Sequence, residues 1–324
     1  MFFSVIIPVY NRPEETEELL NSLYLQDFKD FEVIIVDDGS YRTCEHTLQK
    51  FAKTMRVNYY YQNNTGQGFA RNLGMEKAKG NYFVFFDSDC IVPSGYLSIL
   101  YQAIQIKGLD AHGGPDDAGA DFSAWQKAMN FSMTSFWTTG GIRGKVKNPA
   151  AYQARGYNMG FARKVYERLG GFIHPNMAED IEMSLRIKKA GFRLELVKEA
   201  VVYHRRKNTF SSFVKQAFQF GRNRVFVSNF HPEAVKPVHL LPFFYVLGLV
   251  GLLLFNWLAA RWLLFLGLGY LTWSVCVLVS STWQNRSVSI GLLSVLTSVG
   301  QLCGYGSGIV YGYLFDKTWE RGSR

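Results

Sequence analysis

Between Leu240 and Phe315 the chain carries only two charges, Arg261 and Arg286. They divide this segment into three uncharged stretches, Leu240 to Ala260, Trp262 to Trp283 and Val288 to Phe315. A bilayer core takes about 20 apolar residues per helix, and each stretch is of that order. Buried core helices are the other explanation, but a soluble domain of this size does not hide three such runs. Trp257, Trp262, Trp283 and Trp319 stand near the ends of the stretches, where aromatic rings suit the membrane interface. Residues 238–316 are therefore expected to be transmembrane, with two or three crossings, and 317–324 to form a basic tail (Lys317, Arg321, Arg324). Three crossings put that tail outside; two crossings with a re-entrant hairpin put it inside.

The segment just before the first stretch is basic. From Arg205 to Lys236 seven Lys and Arg face a single acid, Glu233. An excess of cations next to a span marks the cytoplasmic side. Thr209 to Phe230 mixes Phe210, Phe213, Phe218 and Phe226 with basic residues, the composition of a helix lying on a membrane surface; residues 206–237 are read as that interfacial segment. Met1 to Tyr10 is apolar but short and lacks a basic start, so it does not read as a cleavable signal. Residues 1–205 are thus expected to form a domain at the cytoplasmic face of the inner membrane. The net charge of +9 favours an anionic partner. Because the basic cluster adjoins the membrane stretches, nucleic acid is disfavoured. The four cysteines are scattered, without CxxC or Cys/His spacing, and read as buried thiols in a reducing compartment.

The first hundred residues alternate in pattern. Phe2 to Val9, Phe31 to Val36, Val57 to Tyr61 and Tyr82 to Phe86 read as strands; Pro13 to Leu25, Gly68 to Ala78 and Ser94 to Ile106 read as helices. Such alternation implies a mostly parallel, Rossmann-like sheet with helices on both faces. Ligands of these sheets bind beyond the carboxyl ends of the strands. Three polar features fall there: Pro8-Val9-Tyr10-Asn11, Asp37-Asp38-Gly39-Ser40 and Asp87-Ser88-Asp89. With no GxGxxG after the first strand and no GxxxxGK[ST], a nicotinamide Rossmann domain or a P-loop enzyme is disfavoured. Farther on, Ser123 to Phe136 and Glu179 to Ala190 look helical, Arg155 to Gly160 is a Gly-bounded loop, and Leu194 to Tyr203 is a strand ending at His204.

Two carboxylates spaced by one residue on an extended chain share a face. They suit a hard divalent cation, Mn²⁺ or Mg²⁺, and through it a diphosphate. Solvated acids in a turn are the simpler reading of an isolated DxD; position on the rim shared with Asp37-Asp38 favours the cation. Asp37-Asp38 is open between binding a nucleoside and capping a helix. Glu179-Asp180 is open between a dipole-favoured helix start and a general base. His204 is either a surface histidine or a metal ligand.

These residues resemble glycosyltransferases of family 2, with the GT-A fold, in their membrane-anchored bacterial form. The resemblance rests on VIIPVYNR (Val5 to Arg12), VIIVDDGS (Val33 to Ser40), NNTGQGFARNLG (Asn63 to Gly74), FFDSDC (Phe85 to Cys90), RGYNMGFAR (Arg155 to Arg163) and AEDIEMSLRIKKAGF (Ala178 to Phe192). It implies that Pro8, Tyr10 and Asp38 line a nucleoside pocket, with Arg71 near the base or diphosphate. It implies that Asp87 contacts ribose or metal, that Asp89 and His204 ligate the metal, and that Asp116, in the turn Gly114 to Asp117, stands near the donor sugar. Asp180 would be the base of an inverting, metal-dependent transfer from a UDP- or GDP-sugar to a lipid-linked or glycan acceptor. Processive members carry Gln-x-x-Arg-Trp; here Gln219-Phe220-Gly221-Arg222-Asn223 lacks the Trp, which points to single addition. A polysaccharide synthase subunit, and a membrane scaffold that binds nucleotide sugars without turnover, are the alternatives.

Overall fold

The computed structural model describes residues 2–117, 122–140, 152–204, 209–255 and 261–316. The chain divides into two units: Met1–Gly119 with Val146–Arg205, and Ala120–Lys145 with Arg206–Arg324. The first domain, expected to be continuous over 1–205, is thus interrupted, and its excursion packs with the C-terminal helices.

The first unit begins β1 (Phe3–Val9), α1 (Pro13–Tyr24), β2 (Phe31–Asp38), α2 (Glu45–Leu48), β3 (Val57–Gln62), α3 (Gln67–Lys77), β4 (Tyr82–Phe86), β5 (Cys90–Ile91), α4 (Tyr96–Lys107), β6 (Ala111–Gly113) and β7 (Asp116–Asp117). After the excursion it resumes with β8 (Asn158–Ala162), α7 (Arg163–Leu169), α8 (Glu179–Lys189), β9 (Leu194–Leu196) and β10 (Val202–His204). Seven strands form one sheet in the order β3-β2-β1-β4-β8-β6-β9. It is mostly parallel, as expected; β8 alone runs against its neighbours β4 and β6. Every residue of β1, β2 and β4 is buried, because helices cover both faces. Period-two alternation sorts them: Phe3, Val5, Ile7 and Val9 pack with α1 and α4, while Ile6 packs with Ala70 and Met75 of α3 and Met183 of α8. A second sheet of three short strands, in the order β5-β10-β7, sits beside it.

The second unit contains α5 (Ala124–Thr134), α6 (Phe136–Thr139), α9 (Phe210–Ser228), α10 (Leu241–Phe255), α11 (Arg261–Asn285) and α12 (Val288–Tyr311). Two of its helices have the length and composition of a span, over Leu264–Asn285 and Val288–Asp316. The third stretch yields α10, whose 15 residues are short of the roughly 20 a crossing takes; residues 256–260, and the whole tail 317–324, lie outside the described residues. Gly300, Gly304 and Gly308 recur every four residues on one face of α12, and Gly312 follows just past its end. A Cβ on Gly308 would stand 2.0 Å from the Phe218 carbonyl, and one on Gly221 would stand 2.1 Å from the Tyr305 carbonyl. The backbones of α9 and α12 are therefore in contact, as small residues allow between membrane helices. The expected membrane-surface helix thus spends one face, Phe213, Ala217 and Gly221, on a helix partner.

Within the first unit a chain of polar groups underlies β8. Tyr96 donates its only hydroxyl proton to Asn158 Oδ1 at 2.5 Å, so toward His112 Nε2, at 3.2 Å, it accepts. Nε2 therefore carries the ring proton, and Nδ1 accepts from Tyr82 at 3.1 Å. Asn158 Nδ2 donates onward to the carbonyls of Pro115 and Ala200. Burial holds His112 down, from 6.5 to about 3. The unfolded chain thus takes up a proton below pH 6.5 that the folded chain refuses, and this contribution to stability is full above pH 6.5 and lost as pH falls toward 3. We expect His112 to cost about 1.4 kcal/mol of stability per pH unit in that window, read from denaturation midpoints at pH 7 and pH 5. His112→Asn should flatten the slope; an unchanged slope assigns the acid sensitivity to other groups.

Candidate active site

Because β1, β2 and β4 are parallel, the segments that follow them meet at one edge of the sheet. Pro8 is buried near the end of β1, and Tyr10, just beyond it, is 49% exposed. Asn11 adopts a left-handed φ of 57°, which asparagine tolerates. It ties the first two segments together: its amide donates to Ser40 Oγ at 2.8 Å, and its Oδ1 accepts from the amides of Tyr41 and Arg42. Asp37 closes its own turn by accepting from the Ser40 amide at 2.8 Å, and it also accepts from Tyr59 Oη at 2.8 Å. Asp38, expected at a nucleoside pocket, is buried. Its oxygens accept from Gln62 Nε2 (2.7 Å) and from the amides of Thr65 (2.9 Å) and Gly66 (2.8 Å), so it shapes the bend that starts α3.

Asp87 and Asp89 leave the end of β4 half-buried. Asp89 Oδ2 accepts from Arg12 NH1 at 2.5 Å, and Asp87 Oδ1 accepts from Arg71 NH2 at 2.8 Å. The three-stranded sheet adds two expected residues to this corner. Cys90, next to Asp89, pairs with His204, and Val202 pairs with Asp116. The side chain of His204 lies outside the described residues. Among the described residues, no three His, Cys, Asp or Glu side chains are gathered as a cation cage. Asp87 Oδ2 nevertheless takes no hydrogen bond among the described residues, and the carboxylates beside the β10 histidine are the donor chemistry a hard divalent ion uses; the residues present fit such an ion. Cys90 is not a candidate ligand: burial, then Asp89 and Asp87, push its thiol up, and its Sγ donates to the Tyr157 carbonyl.

Arg71 is the centre of the site's architecture. It has no exposed surface, its NH2 reaches Asp87, and its NH1 donates to Glu179 Oε1 at 2.9 Å. Gln67 Nε2 donates to the same Glu179 oxygen at 2.6 Å. Burial first, then repulsion from Asp180, push the Glu179 carboxyl upward, and Arg71 opposes them. Ala178, which precedes Glu179, is left-handed with a φ of 54°, a conformation that costs an L-residue about 1–2 kcal/mol. The first turn of α8 is thus aimed by a strained residue behind it and an ion pair in front. Asp180, half-buried, accepts from the Gly156 amide through Oδ2 at 3.1 Å and from the Ile181 amide through Oδ1 at 2.7 Å. Tyr157 Oη donates to Asp116 Oδ1 at 2.9 Å. The loop before β8 reaches this edge because β8 is reversed: Asn158, its first residue, pairs with Phe86, the last residue of β4. Sequence reasoning assigned no role to Arg12, Glu179 as an anchor, Gly156 or Tyr157; the signal it had was their place inside the quoted motifs.

A model of the family described as "Glycosyl transferase family 2" matches residues 4–170. A segment of 86 residues is 43% identical to an uncharacterized glycosyltransferase of Rickettsia felis, covering 26% of this chain but only 14% of that protein. The poly(ribitol-phosphate) β-N-acetylglucosaminyltransferase TarS of Staphylococcus aureus is 40% identical over 93 residues, 28% of this chain and 16% of TarS. The GalNAc(5)-diNAcBac-PP-undecaprenol β-1,3-glucosyltransferase of Campylobacter jejuni is 37% identical over 102 residues, 31% of this chain and 33% of that protein. The chain therefore matches a minor part of each of these relatives. Among solved structures, a mannosyltransferase of Pyrobaculum calidifontis superposes with a TM-score of 0.62 at 20% identity, covering 97% of this chain and 87% of that one. S. aureus TarS 1–349 gives 0.51 at 20% identity, covering 70% and 64%. At this identity the two structures share the fold.

A Cβ on Gly156 would stand 2.7 Å from Arg71 NH2. Gly156→Ala should therefore cost about 1–3 kcal/mol of stability through overpacking. Arg71→Met, which strands the buried carboxylate of Glu179, should cost about 3–5 kcal/mol. In the double variant the alanine has no guanidinium to displace, so the two losses should fall well short of adding. Additive losses in a thermal-denaturation cycle would show that Gly156 acts elsewhere.

Proposed function

The chain belongs to glycosyl transferase family 2, and from that membership and the edge described above we propose that it is an inverting glycosyltransferase that moves one sugar from a nucleoside-diphosphate sugar to an acceptor hydroxyl. The observation that carries this reading is the ion-pair chain Asp87–Arg71–Glu179, which couples the end of β4 to the helix turn bearing Asp180. Asp180 is the base: its carboxylate, oriented by the Gly156 and Ile181 amides, takes the acceptor's hydroxyl proton while that oxygen bonds to the anomeric carbon. The bond from that carbon to the diphosphate breaks on the opposite face, and its electron pair leaves with the nucleotide. Asp87, Asp89 and His204 would hold Mn²⁺ or Mg²⁺, which supplies positive charge for the departing diphosphate. Tyr10, with its ring exposed at the end of β1, and Pro8 offer a wall for the base; Asp38 supports them by holding the neighbouring bend. Asp116, held by Tyr157, stands on the donor-sugar side.

UDP- and GDP-sugars are the donors to try first. S. aureus TarS 1–349 was solved with UDP, and the P. calidifontis mannosyltransferase with GDP-Man and Mn²⁺. We take the acceptor to be lipid-linked or a glycan, met at the cytoplasmic face of the inner membrane. The apolar, largely exposed surface of α11, the apolar composition of α12 and the basic run before α10 support this, and the C. jejuni relative is named for an undecaprenol-linked acceptor. Single addition is supported by the fate of Arg222: its Nε and NH2 donate to the two oxygens of Asp316 at 2.7 and 3.0 Å. That committed fork ties Arg222 of α9 to the turn that follows α12.

Full-length protein in lipid nanodiscs, offered a panel of UDP- and GDP-sugars with Mn²⁺, tests the reading. Asp180→Asn should lower kcat by about 10²–10⁴-fold while donor affinity stays near that of the parent. Chelation should abolish turnover and added Mn²⁺ restore it. Absence of transfer and hydrolysis with every donor sinks the proposal.

A further inference from the structure

Sequence patterning places Ser123 to Phe136 in a soluble domain, yet α5 and α6 pack among the C-terminal helices. Six consecutive residues of α5, Ala128 to Met133, are buried, so protein surrounds this helix on all sides. Ser132 Oγ lies 2.7 Å from Thr297 Oγ1 and 2.9 Å from Ser298 Oγ on α12. Trp137 Nε1 donates to Ser280 Oγ at 3.0 Å, and Trp273 Nε1 donates to the Trp137 carbonyl at 2.9 Å. Trp273 is near the middle of α11, about 18 Å from Arg261 and about 20 Å from Arg286 at 1.5 Å per residue. Ser280 is about 9 Å and Thr297 about 16 Å from Arg286 on the same measure. A hydrocarbon layer is about 30 Å thick. If α11 and α12 cross it, as the functional reading holds, the contacts of α5 and α6 fall inside the layer.

The chain at the α5–α6 bend is built for a solvent without water. The Ser135 amide donates to the Phe131 carbonyl, and Ser135 Oγ accepts from the Trp137 amide. Thr139 Oγ1 donates to the Ser135 carbonyl, Thr134 Oγ1 to the Asn130 carbonyl, Ser132 Oγ to the Ala128 carbonyl and Thr138 Oγ1 to the Ser132 carbonyl. Hydroxyls returned to the main chain are how non-helical backbone is tolerated at membrane depth. Phe136 is 71% and Trp137 40% exposed, side by side with the exposed apolar residues of α11. Lys127, the one charge on either helix, stands in the first turn of α5, away from α6, where its stem can carry the ammonium outward.

We propose that α5 and α6 form a re-entrant element that dips into the bilayer beside α11 and α12, with Phe136 against the acyl chains. This rests on the reading that α11 and α12 cross the membrane.

The test is spin labelling of the full-length chain in nanodiscs of zwitterionic and anionic lipid, with Cys276 and Cys303 replaced by serine. Nitroxides are placed at Phe136→Cys, at Leu271→Cys on α11, and at Ile106→Cys, exposed on α4 in the first unit. Oxygen partitions into hydrocarbon, and a charge-neutral nickel chelate stays in water. We expect the Phe136 label to match the Leu271 label, with access to nickel about 5-fold or more below that at Ile106, as burial in the hydrocarbon layer requires. A Phe136 label as open to nickel as Ile106, beside a protected Leu271, overturns the proposal and leaves the spans standing. If the Leu271 label is equally open, the membrane reading itself falls and the re-entrant element with it. Phe136 is exposed and its ring meets the edge of Trp137, so an unchanged melting temperature checks that the label leaves the packing intact.

Discussion

A guanidinium with no exposed surface stands between two carboxylates, and the active edge is organised around it. Removing an arginine from water costs several kcal/mol, recovered only when good geometry satisfies it on more than one side. Arg71 does this with a fork: one arm to Asp87 at the end of β4, the other to Glu179 at the start of α8. A lysine has one centre of charge and no such reach. The loop before β8 can lie against the fork because position 156 has no side chain. Helix α3, which carries Arg71, is in turn started by the bend that Asp38 holds. Four segments remote in sequence therefore share one electrostatic fastening, and Asp180 is oriented as a neighbour of it.

The C-terminal unit solves the opposite problem. There α11 and α12 leave apolar surface exposed, and polar groups pair with one another between helices. Ser281 meets Ser294 at 2.7 Å, and Ser132 meets Thr297 and Ser298. Glycines on α12 bring backbones together where bulky side chains would hold them apart. Such contacts are worth about 0.6–2 kcal/mol each where helices pack in a membrane.

Much of the first unit was legible because strand and helix differ in period. The runs read as Phe2 to Val9, Phe31 to Val36 and Tyr82 to Phe86 are mostly apolar, and each was placed within two residues of its observed strand. The acids were placed on one edge by the same argument. Their partners were not legible. Arg12 and Asp89, or Arg71 and Glu179, are far apart in the chain, and nothing local says which cation meets which acid. The network Tyr82–His112–Tyr96–Asn158 was equally hidden, since each member alone is an ordinary strand or helix residue. The packing of α5 with the C-terminal helices was not legible for a related reason: a short helix with one lysine and several aromatics has the same composition in either unit. Only its partners Thr297, Ser298 and Ser280 tell the two apart.

The reversed direction of β8 has an architectural result. In a sheet whose strands all ran one way, insertions before a strand would emerge on the side remote from the ligand. Here Asn158, the first residue of β8, pairs with Phe86, the last of β4, so the loop that leads into β8 arrives at the ligand side. That loop forms no rung of the seven-stranded ladder itself. A single reversed strand thus delivers to that edge the loop whose Gly156 and Tyr157 hold Asp180 and Asp116.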